Sequence, residues 1–234
     1  MNLKTRDRQD EWMDQPDLST ELHAGALRGL SRVNRFSGVV GSLWKPIASW
    51  AETAADTPIS LLDVASGGGD VAIGVDRRAK RASVAVRVTG CDISPFATEY
   101  ATRQAERVNA DVRFLCRDVL ADAMPESYDI VYTSLFLHHL EQDSLLEILD
   151  SMRTIAKHRV ILSDLIRSRL GYSLAKYGIR LLTRNPVCHV DGPLSVRAAL
   201  TIDEMVEHCQ RVGLKILERR KVWPERFLFV CDPS

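Results

Sequence analysis

From residue 58 onward, short apolar runs alternate with stretches whose apolar residues recur at helical spacing. The first run, ISLLDV at residues 59–64, leads into a glycine-rich turn and then a helical pattern that continues to residue 80. A continuous apolar run of this length is typical of a strand buried on both faces of a parallel sheet. The pattern predicts a doubly wound α/β domain. Further strands are predicted at residues 83–90, 112–116, 128–134, 159–163, 214–222 and 226–231.

The last two predicted strands differ from the others in their connection, since only a short turn at Trp223 and Pro224 separates them. A parallel crossover needs about a dozen residues or more. We therefore expect these strands to pair as an antiparallel hairpin that closes a seven-stranded, mostly parallel sheet.

The chain before this alternation predicts N-terminal helices outside the sheet. Residues 1–16 are polar and are expected to be loose, and a second apolar stretch follows at residues 43–50. We expect a helical extension over residues 1–55 and the main domain over residues 56–234. The first helical pattern consists of Leu22, Ala26, Leu30 and Val33.

Residues 164–200 interrupt the alternation and predict a helical insertion. A helical-looking stretch with five basic residues from Arg167 to Arg184 is followed by the proline- and glycine-containing segment NPVCHVDGPLS. Its mixture of apolar and basic residues suits a cover over a hydrophobic acceptor or a peripheral contact with a membrane surface.

Composition narrows the function classes. The chain has 234 residues, of which 45% are hydrophobic. Basic and acidic residues are equal in number, 31 each, so the chain has no net positive charge that would attract nucleic acid. Its five cysteines form no metal-ligand spacing, and no metal is expected. The charged N-terminal segment lacks the apolar stretch of a secretory signal, which predicts a cytoplasmic protein.

The segment LLDVASGGGD at residues 61–70 carries the main functional signal. Small residues after a strand let the backbone approach a ligand, and the N–H groups of the following helix face it, so a nucleotide-like ligand is expected. Gly67, Gly69 and Ala72 also satisfy the dinucleotide fingerprint G-x-G-x-x-A, with Asp92 as the acidic partner. The glycine spacing alone therefore leaves open an NAD(P)-dependent oxidoreductase or a non-catalytic nucleotide-binding module.

Three segments together resemble class I, Rossmann-like S-adenosylmethionine-dependent methyltransferases over residues 58–231. LLDVASGGGD resembles their first motif, GCDIS their acidic ribose-binding motif, and YDIVYTSLFLHHL their fourth strand and the loop after it. Ala65 stands where the first motif most often has glycine, and an alanine is tolerable there if its φ stays negative. The loop also lacks an N/D-P-P-Y-type segment, which argues against methylation of nucleic acid.

The resemblance implies roles for individual residues. The turn at residues 65–69 would hold the methionine part, while Asp63 orients the turn and favours the cationic groups. Asp92 would accept hydrogen bonds from the ribose, and Ile93 would pack on the adenine. The implied cofactor-binding residues are Asp63, Ala65, Ser66, Gly67, Gly69, Asp92, Ile93, Asp118, Val119 and Ser134.

Three histidines are candidate general bases for the acceptor. His138 and His139 follow the fourth predicted strand, at the sheet edge where open α/β sheets bind ligands. His189 lies in the insertion, where Asp191 could orient it. A histidine can remove the proton of a phenol, whose pKa is near 10 by analogy with tyrosine.

A finer resemblance concerns the acceptor. The segments RGLSRVNRFSG, HHL and DGPLSVRAALT are similar to those of methyltransferases that act on phenolic or quinone-like lipids, including the group associated with type III polyketide synthases. This implies O-methylation of a small phenolic or quinol acceptor, with C-methylation of a quinone ring as the alternative. It also implies that Ser195 and Arg197 lie near the acceptor or the cofactor carboxylate. Asp191 is a further candidate for the acceptor site.

Overall fold

The computed structural model describes residues 3–15, 17–54, 58–122 and 124–234, and their strands form one sheet. The strands are β1 (Ile59–Val64), β2 (Val86–Asp92), β3 (Val112–Cys116), β4 (Tyr128–Ser134), β5 (Ala156–Leu165), β6 (Lys215–Val222) and β7 (Arg226–Asp232). Their order is β3-β2-β1-β4-β5-β7-β6. The first five run parallel, and β7 pairs antiparallel with β5 and β6. The predicted seven-stranded, mostly parallel sheet with its closing hairpin is confirmed.

Helices cover both faces of this sheet, as its two-sided burial requires. The helices are α1 (Thr20–Phe36), α2 (Val39–Ala51), α3 (Asp70–Ala82), α4 (Pro95–Arg107), α5 (Gln142–Ile155), α6 (Arg169–Ser173), α7 (Ile179–Leu182), α8 (Pro186–Ala198) and α9 (Ile202–Arg211). Helices α2 and α3 share one apolar core with the sheet, and α5 and α9 share the other. The boundary predicted between the extension and the main domain falls at residues 55–57, outside the described residues.

The insertion is helical over most of its length. A π-helical turn at Leu174–Gly178 joins α6 to α7, so that residues 169–182 form one helical stretch. The segment NPVCHVDGPLS, which interrupts the sequence pattern, is mostly helix α8, because the Asn185 side chain caps its first turn and Pro186 suits the first helical position. In the part of the chain that the structure describes, no helix is long and apolar enough to cross a membrane.

The prediction of a loose N-terminus is wrong for residues 3–15, which we name the N-terminal strap. The Arg6 guanidinium donates to the carbonyls of Leu137, His138, Leu140 and Ala198 at 2.6–3.3 Å. Charged side chains at backbone carbonyls make hydrogen bonds stronger than neutral ones. The strap therefore lies against the turn after β4 and the end of α8.

Candidate active site

A cleft of about 860 Å³ opens at the carboxyl ends of β1, β2 and β4. Strand order reverses between β1 and β4, and open α/β sheets bind ligands at such a switch point. The strap and α1 form the opposite wall, through Met13 and Asp14 of the strap and His23, Leu27 and Leu30 of α1. The fold therefore places one large cleft beside the glycine-rich turn.

The turn at residues 65–69 lines the cleft through its first four residues. Ala65 has φ +57°, which corrects the expectation of a negative value, because the turn requires the left-handed region even without glycine. Gly67 has φ +51°, and its N–H donates to Asp92 at 2.7 Å. This bond joins the turn to the end of β2.

The position of Gly69 does not fit its predicted role in binding the cofactor. Gly69 is not among the described residues that line the cleft, and a Cβ atom there would lie 2.6 Å from the Phe114 ring. Gly69 therefore permits close packing of α3 against the sheet. Gly68, which the sequence prediction omitted, lines the cleft beside Leu27.

One half of the cleft is acidic. Asp63, Asp70 and Asp92 line it, and burial raises the pKa of all three. The negative charges of Asp70 and Asp92 add to the effect of burial on Asp63, whose pKa lies well above its usual range. One Asp63 carboxylate oxygen has no hydrogen-bond partner among the described residues. A cationic ligand would satisfy this oxygen and stabilise the ionised carboxylates, which fits the ammonium and sulfonium groups of S-adenosylmethionine.

The residues predicted to hold ribose and adenine lie along the same half. Asp92 accepts from the N–H groups of Gly67 and Ser94, and each oxygen keeps a lone pair for a further donor. Ile93 lines the cleft and is 66% exposed, so it offers a bare apolar face. Asp118 also lines the cleft while accepting from the Leu120 N–H within its turn. The other predicted cofactor residues that line the cleft are Ser66, Val119 and Ser134.

The other half of the cleft is largely apolar, with His139 among its polar residues. Met13 and Leu18 lie on one side, and Phe136 and Leu140 on the other. His139 Nδ1 lies 3.2 Å from an Asp14 carboxylate oxygen. Burial acts to lower the pKa of His139, but the hydrogen bond to Asp14 and the charge of Glu11 outweigh it and raise the pKa to about 9.

His138 is placed differently from its neighbour. It is buried, and it is absent from the described residues that line the cleft. Its Nδ1 atom lies 2.7 Å from Asp164, whose other oxygen accepts the His138 N–H. Burial acts to raise the pKa of Asp164, yet His138 lowers it overall. His138 is therefore a positioning residue that fixes the turn before His139.

Buried Glu11 of the strap completes this group, with its carboxylate 3.8 Å from His138 Nε2 and 4.0 Å from His139 Nε2. The donor atoms of Glu11, His138 and His139 all lie within 4.8 Å of one another. The expectation that the chain binds no metal stays a prediction.

The structure separates the remaining predicted residues from the cleft. His189 and Asp191 do not pair, because His189 Nε2 lies 2.7 Å from the Thr183 carbonyl oxygen and both Asp191 oxygens accept backbone N–H groups of the strap. Ser195 donates to Glu11 at 2.6 Å, and Arg197 pairs with Asp7. Asp191, Ser195 and Arg197 form a polar row on α8 that holds the strap.

Sequence reasoning missed the strap and α1 as walls of the cleft. Asp14 and Met13 fall in a segment without periodicity, and nothing in their spacing marks them. Helix α1 carries a detectable signal, because five of its residues recur at helical spacing and line one wall of the cleft. They are Thr20, His23, Leu27, Leu30 and Asn34.

Comparisons with known proteins agree with this geometry. Residues 61–159 match the family model described as a methyltransferase domain. A sequence search among curated proteins gives no match.

Among solved structures, the fold is similar to magnesium protoporphyrin IX methyltransferase from Synechocystis PCC 6803 with bound SAH, at TM-score 0.61 and 16% identity, covering 97% of this chain and 90% of that one. A SAM dependent methyltransferase from Aquifex aeolicus is similar at TM-score 0.63 and 15% identity, covering 90% and 98%. An O-methyltransferase family 2 protein from Planctomyces limnophilus DSM 3776 in complex with apigenin is similar at TM-score 0.58 and 15% identity, covering 88% and 66%.

These identities show a shared fold, while the domain match covers the turn, the acidic half of the cleft and the loop with His139. The orphaned Asp63 oxygen and the glycine turn fit the cofactor of that domain. Residues 61–159 therefore carry a methyltransferase domain within a Rossmann-like fold, and the cleft fits S-adenosylmethionine as its cofactor.

Proposed function

We propose that the protein methylates the oxygen of a small phenolic or quinol acceptor that carries an alkyl, lipid-like substituent. The observation that carries the proposal is the Asp14–His139 pair, which lies on the apolar half of the cleft. An aromatic ring with an apolar substituent suits these walls, and its hydroxyl needs a proton acceptor. One O-methyltransferase of this fold was crystallised with apigenin, which supports the choice.

The acidic half of the cleft suits the cofactor, which supplies an activated methyl carbon when bound. Asp63 and Asp70 would attract its cationic groups, and Asp92 would accept from the ribose hydroxyls. Asp118, Val119 and Ile93 would hold the adenine. The protein then has to align the acceptor oxygen with the methyl carbon and exclude water.

Of the three histidines suggested by the sequence, His139 is the one we assign as general base. Its pKa of about 9 lies close to the value of about 10 typical of a phenol, so proton transfer between them costs only about 1.4 kcal/mol. Asp14 holds Nδ1, which leaves Nε2 as the atom that accepts the proton. Because the pKa of His139 lies above neutrality, most of the rings are charged at neutral pH, and the active fraction rises with pH.

The test is methyl transfer from labelled S-adenosylmethionine to matched phenols, quinols and quinones, with and without an alkyl chain. We expect O-methylated product from phenol or quinol, and we expect His139→Gln to lower kcat by about a hundredfold or more while changing the dissociation constant of S-adenosylhomocysteine little. The control is His158→Gln, because His158 is exposed and its ring lies 4.9 Å from the Trp50 ring instead of lining the cleft.

The position of the label in the product separates the candidate reactions. Label on a ring carbon would favour C-methylation of a quinone ring over our proposal. Unchanged kcat in His139→Gln would remove His139 as the base, and the position of the label alone would then decide the acceptor.

A further inference from the structure

The helical stretch at residues 169–182 presents an apolar ridge to solvent. Leu170 is 56% exposed, Tyr177 64% and Leu181 89%. Large apolar side chains with this exposure along one short helical stretch indicate a surface that is covered in use. We name this ridge, together with the basic side chains beside it, the insertion face.

The charge of the insertion face has one sign. Residues 165–190 contain no aspartate or glutamate, although acidic residues total 31 in the chain. Arg169, Arg180 and Arg184 are exposed, and Lys176 is half-buried over the rings of Tyr172 and Tyr177. None of these four cations forms an ion pair with a residue in the described part of the chain.

The opposite side of the same stretch is fixed to the protein. Ile179 is buried in an apolar cluster with Ala26 of α1 and Val187 and Cys188 of α8. Arg167, just before the stretch, is buried and paired with Glu204 at 2.6 Å. The insertion face is therefore a preformed surface, and docking it does not require a disordered segment to fold.

We propose that the insertion face docks onto an anionic lipid surface, with the leucines and Tyr177 in the headgroup layer and the arginines against lipid phosphates. An apolar ridge edged with basic residues and free of acidic ones is the pattern of helices that lie in a membrane interface. Each basic residue near an anionic surface contributes roughly a fivefold gain in binding. Nucleic acid would bind the basic residues but leave the leucines exposed to water. A lipid surface would contact both the basic and the apolar side chains of the insertion face.

Helix α1 connects this surface to the cleft. Its residues Leu27 and Leu30 line the cleft, while Ala26 and Gly29 contact the insertion on the other side. Docking would therefore hold the cleft one helix away from the lipid. The proposal goes beyond the proposed function and holds whatever the acceptor is, although a lipid-like acceptor would benefit from it.

The experiment is sedimentation of the full-length protein with vesicles of phosphatidylcholine alone and of equal parts phosphatidylcholine and phosphatidylserine, without cofactor or acceptor. We expect binding to the anionic vesicles that weakens as salt increases. The double variant Arg180→Ser/Leu181→Ser should bind at least about tenfold more weakly, because it loses one cation and one exposed leucine that the lipid surface would bury. Its turnover of a water-soluble acceptor should remain that of the wild type.

The matched control is Arg78→Ser/Val108→Ser, which removes an exposed cation and a valine that is 45% exposed elsewhere on the surface. It should bind vesicles as the wild type does. Absence of vesicle binding in the wild type, or equal binding by both double variants, would overturn the proposal. Binding of duplex DNA or self-association that depends on Leu181 would assign the face to another partner, and methyl-transfer assays remain a separate test of the acceptor.

Discussion

Replacing Ala65 with glycine should stabilise the protein. Ala65 has φ +57°, and a Cβ atom in the left-handed region costs roughly 1–2 kcal/mol, which glycine does not incur. Glycine also makes the unfolded chain more flexible, which offsets about 0.4–1 kcal/mol of the gain. The expected net effect is a free energy of unfolding higher by about 1 kcal/mol. For a domain of this size, that corresponds to a rise in Tm of about 2–4 °C.

The measurement is urea unfolding followed by circular dichroism, with calorimetry for Tm. Ala105→Gly provides the matched control, because Ala105 is buried in α4, and glycine in a helix interior should lower the free energy of unfolding by about 1 kcal/mol. The change in the free energy of unfolding is expected to have opposite signs for the two substitutions. If Ala65→Gly is destabilised while the control behaves as expected, the left-handed conformation is not a source of strain and the reasoning fails.

Three further predictions concern the cleft and the strap. Burial acts to lower the pKa of His139, but Asp14 and Glu11 outweigh it and raise the pKa to about 9, so kcat should rise with pH up to about 9. The charged His139 ring stabilises the folded protein, and this contribution should be lost between about pH 6.5 and 9. A flat pH–rate profile would contradict this. Gly67→Val should weaken S-adenosylhomocysteine binding by tenfold or more in calorimetry, whereas Gly213→Val, which shares a positive φ on the far side of the fold, should not. Asp191→Ala should remove the acceptor of two strap N–H groups, cost about 1–3 kcal/mol and speed tryptic cleavage of the strap; unchanged cleavage would show that other contacts suffice.

The sheet could be predicted from sequence because buried parallel strands leave continuous apolar runs. Strands β3 and β4 have the predicted bounds, and β7 differs by one residue. The acidic half of the cleft was also predictable, since its residues follow these strands directly. Gly69 was misread because a glycine that permits packing against Phe114 has the same sequence signature as one that faces a ligand.

The strap could not be predicted, because its partners carry no local signal. Arg6 binds backbone carbonyls, which every residue type supplies, and it does so 131 to 192 positions away in the chain. Ser195 and Arg197 were predicted to contribute to the active site, but in the structure they pair with Glu11 and Asp7 of the strap. Long-range polar contacts of this kind depend on the completed fold.

The chain order of the strap and its partners has a consequence for biosynthesis. Residues 3–15 leave the ribosome first, whereas Asp191, Ser195 and Arg197 are among the later residues to be made. Contacts of such high sequence separation form late in folding. The wall of the cleft that carries Asp14 is therefore assembled only after almost the whole chain exists, so a chain that ends before α8 cannot complete this wall.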